Sequence, residues 1–167
     1  MNNNVLENLT KFIHTTRSFE LSPVDDDFVT WVKELVSGYK DKLSHVHITT
    51  DSAEIEKIYN WTQVPDEEDI GINYLPRKNS QAMAPMLVIL VPFEREPESN
   101  VTAGMLHAKI GLKAIELGYS TGFCICVERE NLIAHFEENK LWNPDSPDVW
   151  IGGTTVLFSI GKANPDC

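Results

Sequence analysis

The chain has 167 residues, enough for one domain with a sizeable core, and 42% of them are apolar, including four tryptophans. Its formal net charge of −11 argues against a nucleic-acid binder, because phosphate neutralisation needs a basic face, and equally against binding to anionic membranes. The longest apolar run, Met86 to Pro92, is too short to cross a bilayer, and Met1-Asn2-Asn3-Asn4 has neither the basic start nor the apolar core of a signal peptide. The expectation is a single domain over residues 1–167, soluble and cytoplasmic, with no nucleic-acid or membrane partner.

In chain order, Val5 to Thr16 reads as a helix with Val5, Leu6, Leu9, Phe12 and Ile13 on one face. Ser22 and Pro23 are expected to open a second helix, the serine as cap and the proline just inside. Asp25, Asp26 and Asp27 then favour the positive end of its dipole. Its apolar stripe is Val24, Phe28, Trp31, Val32 and Leu35, and Gly38 ends it. A strand from His45 to Thr50 follows, and Asp51-Ser52 caps a third helix with Ile55, Ile58 and Tyr59 facing inward. Trp61 to Ala84 has no sustained period and carries Pro65, Pro76 and the acidic run Asp66-Glu67-Glu68-Asp69. It reads as a long loop, either solvated or a cover over a site. Met86 to Val91 is apolar on both faces, as a central strand is.

The region from Val101 to Val127 is the most informative. Gly104, Ala108, Gly111 and Ile115 recur at spacings of three or four and share one helix face. Glycine inside a helix costs about 1 kcal/mol against alanine, so two on one face imply close approach by another helix or a flat ligand. Gly118 stands where a C-terminal capping residue belongs. Tyr119-Ser120-Thr121-Gly122 reads as a tight turn with exposed backbone N–H groups, leading into a strand from Phe123 to Val127. Glu128 to Asn139 is expected to be helical with Leu132, Ile133 and Phe136 inside. Asn143 to Pro147 reads as a loop, and Thr154 to Ile160 as the last strand.

This alternation predicts an α+β sandwich with a central mixed sheet flanked by helices. No G-x-G-x-x-G follows any strand, which argues against a dinucleotide-binding Rossmann unit, and no G-x-S-x-G points to a serine hydrolase. Three cysteines make no disulfide framework, and Cys124 and Cys126 read as small apolar packing on one side of a strand. His45 and His47 also share a strand face, and His107 or His135 could approach them in the fold. No third ligand at metal spacing accompanies the pair, so no metal site is expected.

Thr16-Arg17-Ser18 after the first helix, followed by Pro23-Val24, resembles the opening of the FMN-dependent nitroreductase family. Ala84-Pro85 before the central strand, Ala103-Gly104 through Ala114-Ile115-Glu116-Leu117-Gly118-Tyr119-Ser120-Thr121-Gly122-Phe123, and Ser159-Ile160-Gly161 resemble that family's later segments in the same order. The resemblance implies a homodimer with FMN at the subunit boundary. The small-residue helix would then pack across a two-fold axis, or alternatively only against its own subunit. It implies that Thr16, Arg17 and Ser18 hold the FMN phosphate and ribityl chain, with Lys162 the cation after the closing strand. Lys40 or Lys42 would lie at the anionic edge of reduced flavin, and Ser120, Thr121 and Gly122 against the ring. NAD(P)H would supply hydride and an acceptor such as a nitroaromatic or quinone would take the electrons. The flavin carries that chemistry, so no catalytic side chain is assigned. The alternative is a non-catalytic binding or interaction protein of the same fold with weakened or lost flavin binding. Glu20 near Arg17 and the absence of the family's Asn-x-Gln-Pro-Trp-like segment motivate it.

Overall fold

The structure is a computed structural model that describes residues 3–13, 15–60, 83–93, 95–124, 129–139 and 155–165. The side chains of residues 3–6 and 13 fall outside that description, as do the expected loops at 61–82 and 143–147, and Cys126. The elements are α1 (Asn3–Ile13), α2 (Asp26–Ser37), a short 3-10 turn (Lys40–Lys42), β1 (His45–Thr49), α3 (Ser52–Tyr59) and β2 (Met86–Val91). They continue with α4 (Pro97–Glu116), β3 (Ser120–Cys124), α5 (Arg129–Glu138) and β4 (Val156–Gly161). Among the described residues no helix is long and apolar enough to cross a membrane.

Among the described residues four strands lie in the order β1-β2-β4-β3 and every neighbouring pair is antiparallel, whereas a mixed sheet was expected. The reason is where each strand starts. Leu87 of β2 pairs with Thr49, the last residue of β1, so α3 is inserted into what is otherwise a hairpin and adds no crossover. β2 and β3 run in the same direction, joined through α4, but β4 slots between them, just as β2 separates β1 from β4.

Period-two burial divides the core into two layers, one on each side of the sheet. Met86, Val88 and Leu90 of β2, with Phe158 and Ile160 of β4, face α2 and α4, where Phe28, Val32, Val36, Leu106, Ile110 and Ala114 are buried. Leu87, Ile89, Val91, Leu157 and Cys124 face α3 and α5, whose Ile55, Ile58, Tyr59, Leu132 and Phe136 complete the second layer. β2 is buried along its whole length, which is why its sequence is apolar on both faces.

The helix ends show local sequence logic at work. The cap of α2 is Asp25, not Ser22: its carboxylate accepts from the backbone N–H of Asp27 at 2.8 Å, while the Ser22 hydroxyl donates to Glu20. Gly38 caps the C-terminus as expected, and Asp51 caps α3 by accepting from Ala53 N–H at 2.9 Å. α4 ends in a Schellman motif. Gly118 takes φ +84°, its N–H donates to Ile115 O at 3.0 Å, and Tyr119 N–H donates to Ala114 O at 2.9 Å. Tyr119 then stacks on Phe28, and its hydroxyl accepts from Asp25 N–H at 3.0 Å, joining the end of α4 to the start of α2.

The small-residue stripe of α4 serves two surroundings. At Gly111 a Cβ would overlap the Phe12 ring of α1, so this glycine is required for packing within the subunit. One turn-pair earlier, a Cβ on Gly104 would meet nothing within 4 Å, and its neighbours Val101 and Met105 are 60% and 66% exposed. The two glycines share an azimuth, but α1 covers only one height of the helix.

Candidate functional site

Residues 16–20 run as an extra extended segment along one corner of the sheet. Thr16 N–H donates to Thr121 O at 2.8 Å, Glu20 N–H to Lys162 O at 2.9 Å, and Asn164 N–H to Ser18 O at 3.1 Å, with Phe19 bridged to Ala163. This ladder gathers Thr16, Arg17, Ser18, Ser120, Thr121, Gly122 and Lys162 at the end of the sheet where β2 begins. Phe19 is buried and anchors the segment, while Arg17 and Lys162 stay exposed. Packing there is close: a Cβ on Gly161 would overlap the Pro85 ring and press on Phe19.

Two details differ from the sequence expectation. Ser120, Thr121 and Gly122 are not a turn but the body of β3, paired with Gly161, Ile160 and Ser159. The turn lies one step earlier, where the Schellman cap lets the chain reverse straight into the strand. Lys40 and Lys42 are exposed but lie at the diagonally opposite corner. They precede β1 at the far edge of the sheet, and the Lys42 carbonyl accepts from Ser99 Oγ at 2.6 Å beyond the other end of β2.

The donors at the Arg17 corner fit a phosphate monoester. They are a forked, permanently charged guanidinium, an ammonium and serine hydroxyls, set in a chain that is otherwise strongly acidic. Thr121 Oγ1 is buried with no hydrogen-bond partner among the described residues, an unmet polar group that a ligand hydroxyl or oxygen would satisfy. The Glu20 carboxylate is directed to the Ser22 hydroxyl at 3.3 Å along its own segment. Beside the corner, past Pro85, a cleft of about 500 Å³ is lined by Leu21, Val24, Thr50, Ser52, Met83 and Ala84 among others. That volume suits a small-molecule site.

A second cluster lies on the α3–α5 face of the sheet. His47 Nε2 and His135 Nε2 both approach a single oxygen, Glu54 Oε1, at 3.2 and 2.7 Å. Burial holds His47 below the usual imidazole range despite Glu54 beside it. Burial alone would raise Glu54, but hydrogen bonds from Thr49 and His135 and the two imidazoles outweigh it, and the carboxyl stays below its usual range. His45 packs on Phe136 next door, with ring centroids 4.5 Å apart. His107 is on the opposite face of the sheet, against Phe158 and Phe123, and takes no part. Sequence reasoning paired His45 with His47 but missed Glu54, because nothing in a helix-facing glutamate's spacing announces which strand it will meet.

No protein-family model matches this sequence, and no curated protein matches it. Solved structures do. A Bacteroides fragilis nitroreductase with bound FMN superposes at a TM-score of 0.66 over 99% of this chain and 91% of its own, at 13% identity. An FMN-dependent nitroreductase from Clostridium difficile gives 0.65 over 99% and 93%, at 15% identity. The FMN-dependent nitroreductase NfnB from Mycobacterium smegmatis, solved in complex with NADPH, gives 0.62 over 97% and 90%, at 12% identity. The chain has the nitroreductase fold.

Proposed function

We propose that this protein is an FMN-dependent oxidoreductase of the nitroreductase type, passing electrons from NAD(P)H to a small acceptor such as a nitroaromatic or quinone. One observation carries the reading: the Thr16–Thr121 hydrogen bond sets Arg17 and Ser18 beside β3, in a protein with this fold. Arg17 and Lys162 would hold the FMN phosphate, with Ser18 and Ser120 donating to its oxygens and Thr121 Oγ1 gaining a partner. Bound FMN supplies two-electron transfer at N5, and the chain supplies position, charge and exclusion of water. The apolar side of the cleft, from Leu21, Val24 and Met83, is the wall for a flat ring.

The protein acts in this reading as a homodimer. A single chain leaves Lys40 and Lys42 diagonally across the sheet from Arg17, so only a second copy brings lysines of that segment to the flavin edge. The exposed strip Val101, Gly104 and Met105 offers the contact, with an open glycine that permits close helix approach.

Adding FMN to the purified protein while following flavin fluorescence, then measuring NADH and NADPH consumption with a nitroaromatic or quinone, tests the reading. Quenching with stoichiometric uptake and acceptor-dependent turnover are expected. Protein that takes up no FMN overturns it and favours the binding-protein alternative, to which the acidic Glu20 in the phosphate segment points.

A further inference from the structure

The His47–Glu54–His135 cluster lies away from the Arg17 corner and is not used by the flavin reading. It draws one residue from each of β1, α3 and α5, and their candidate ligand atoms all lie within 4.8 Å of one another. The two imidazoles are nearly closed off, with side chains 10% and 5% exposed, while Glu54 is 20% exposed and opens the cluster to solvent. Both Nε2 atoms aim at the same carboxylate oxygen, so three donor atoms of metal-binding type converge on one point.

We propose that His47, Glu54 and His135 bind a divalent first-row transition ion such as Zn²⁺, with two imidazole nitrogens and one carboxylate oxygen as ligands and a fourth position open to water. Ligands in a tetrahedral zinc site lie about 3.4 Å apart, given bond lengths of about 2.1 Å. The His47–Glu54 separation of 3.2 Å matches that edge, and the 2.7 Å His135–Glu54 separation requires Glu54 to withdraw by less than about 1 Å. Each neutral imidazole moves its proton from Nε2 to Nδ1 on binding, so no net proton is released. For His135 the new Nδ1–H needs an acceptor. Asn139 is exposed and already sits 3.1 Å from Nδ1, and turning its amide presents Oδ1 there at the expense of its bond to the His135 carbonyl. The ion would clamp β1, α3 and α5 together on the face of the sheet opposite α1 and α4. Imidazole–carboxylate sets of this kind suit zinc and its neighbours rather than magnesium or calcium.

The test uses the full chain stripped with a chelator and titrated with Zn²⁺ by calorimetry, alongside Glu54→Gln and His135→Gln, each checked for wild-type circular dichroism. One ion per chain is expected, weakened by more than about 100-fold in either variant. Co²⁺ in the wild-type chain reports independently of any variant: visible bands of a four-coordinate nitrogen–oxygen site are expected. Absence of stoichiometric Zn²⁺ binding, undiminished binding in both folded variants, or a thiolate charge-transfer band from cysteine ligation of Co²⁺ each overturns the proposal.

Discussion

The backbone N–H of Thr16 donates to the carbonyl of Thr121 across 2.8 Å, and this bond welds the segment after α1 to the edge strand β3. It blunts the open edge of the sheet and places the only arginine of that segment beside a strand rich in small and hydroxylated residues.

Arg17→Ala is therefore expected to weaken FMN by about 10- to 100-fold, the loss of a charge-assisted contact worth about 1.5–3 kcal/mol. Riboflavin, which lacks the phosphate, should bind both proteins equally. Fluorescence titration with the two flavins separates a phosphate contact from a general loss of structure.

Met105→Glu places a charge in the exposed strip of α4, where Met105 is 66% exposed and Gly104 is open. Sedimentation should show a wild-type dimer, as proposed above, and a monomeric variant, with FMN retention falling in parallel. A folded variant that stays dimeric moves the subunit contact elsewhere.

The two α4 glycines should respond in opposite senses. Gly111→Ala drives a methyl into Phe12 and is expected to destabilise by about 1–3 kcal/mol. Gly104→Ala meets no neighbour within the chain, so in the Met105→Glu background, which removes the proposed subunit contact, it gains about 0.5–1 kcal/mol of helix preference. Urea midpoints of the two variants give the comparison directly.

His107 sets an acid limit on stability. Burial lowers its pKa from 6.5 to about 4, and its Nε2 has no hydrogen-bond partner among the described residues. Its folded value is depressed, so the unfolded chain takes up the proton first. The contribution is complete above pH 6.5 and is lost progressively as pH falls toward 4. About 2 kcal/mol of stability should disappear by about pH 5 from this residue. His107→Leu should flatten the loss between neutral and mildly acidic pH in thermal melts.

Tyr119→Phe removes the hydroxyl that accepts from Asp25 N–H and should cost about 1 kcal/mol while leaving the ring stack on Phe28 intact. Calorimetry of the variant against wild type checks it.

Much of the local structure was legible in the chain. The apolar run of β2, the inward trio Ile55, Ile58 and Tyr59, and the glycine stops at Gly38 and Gly118 follow from burial period and backbone freedom, which act over a few residues. The neighbouring cap of α2 was misplaced because Ser22 and Asp25 are both good caps, and the choice was made when Tyr119, far along the chain, accepted the Asp25 N–H. The segment Thr16–Ser18 stands out in the sequence by likeness, and the structure sets it beside β3, whereas Ser120–Gly122, which reads as a turn, is strand. Propensity could not show that β4 would arrive to pair with it.

The sequence by itself determined where most helices and strands of the described residues lie, which faces are apolar, and the acidic charge balance, because those properties are carried by each residue and its near neighbours. Tertiary structure alone decided that β4 separates β2 from β3, that Gly111 packs while Gly104 stays open, and that His47, Glu54 and His135 share one point in space. Those outcomes depend on which distant surfaces meet, and the pairing of a strand edge or a helix face is fixed by the whole core closing at once.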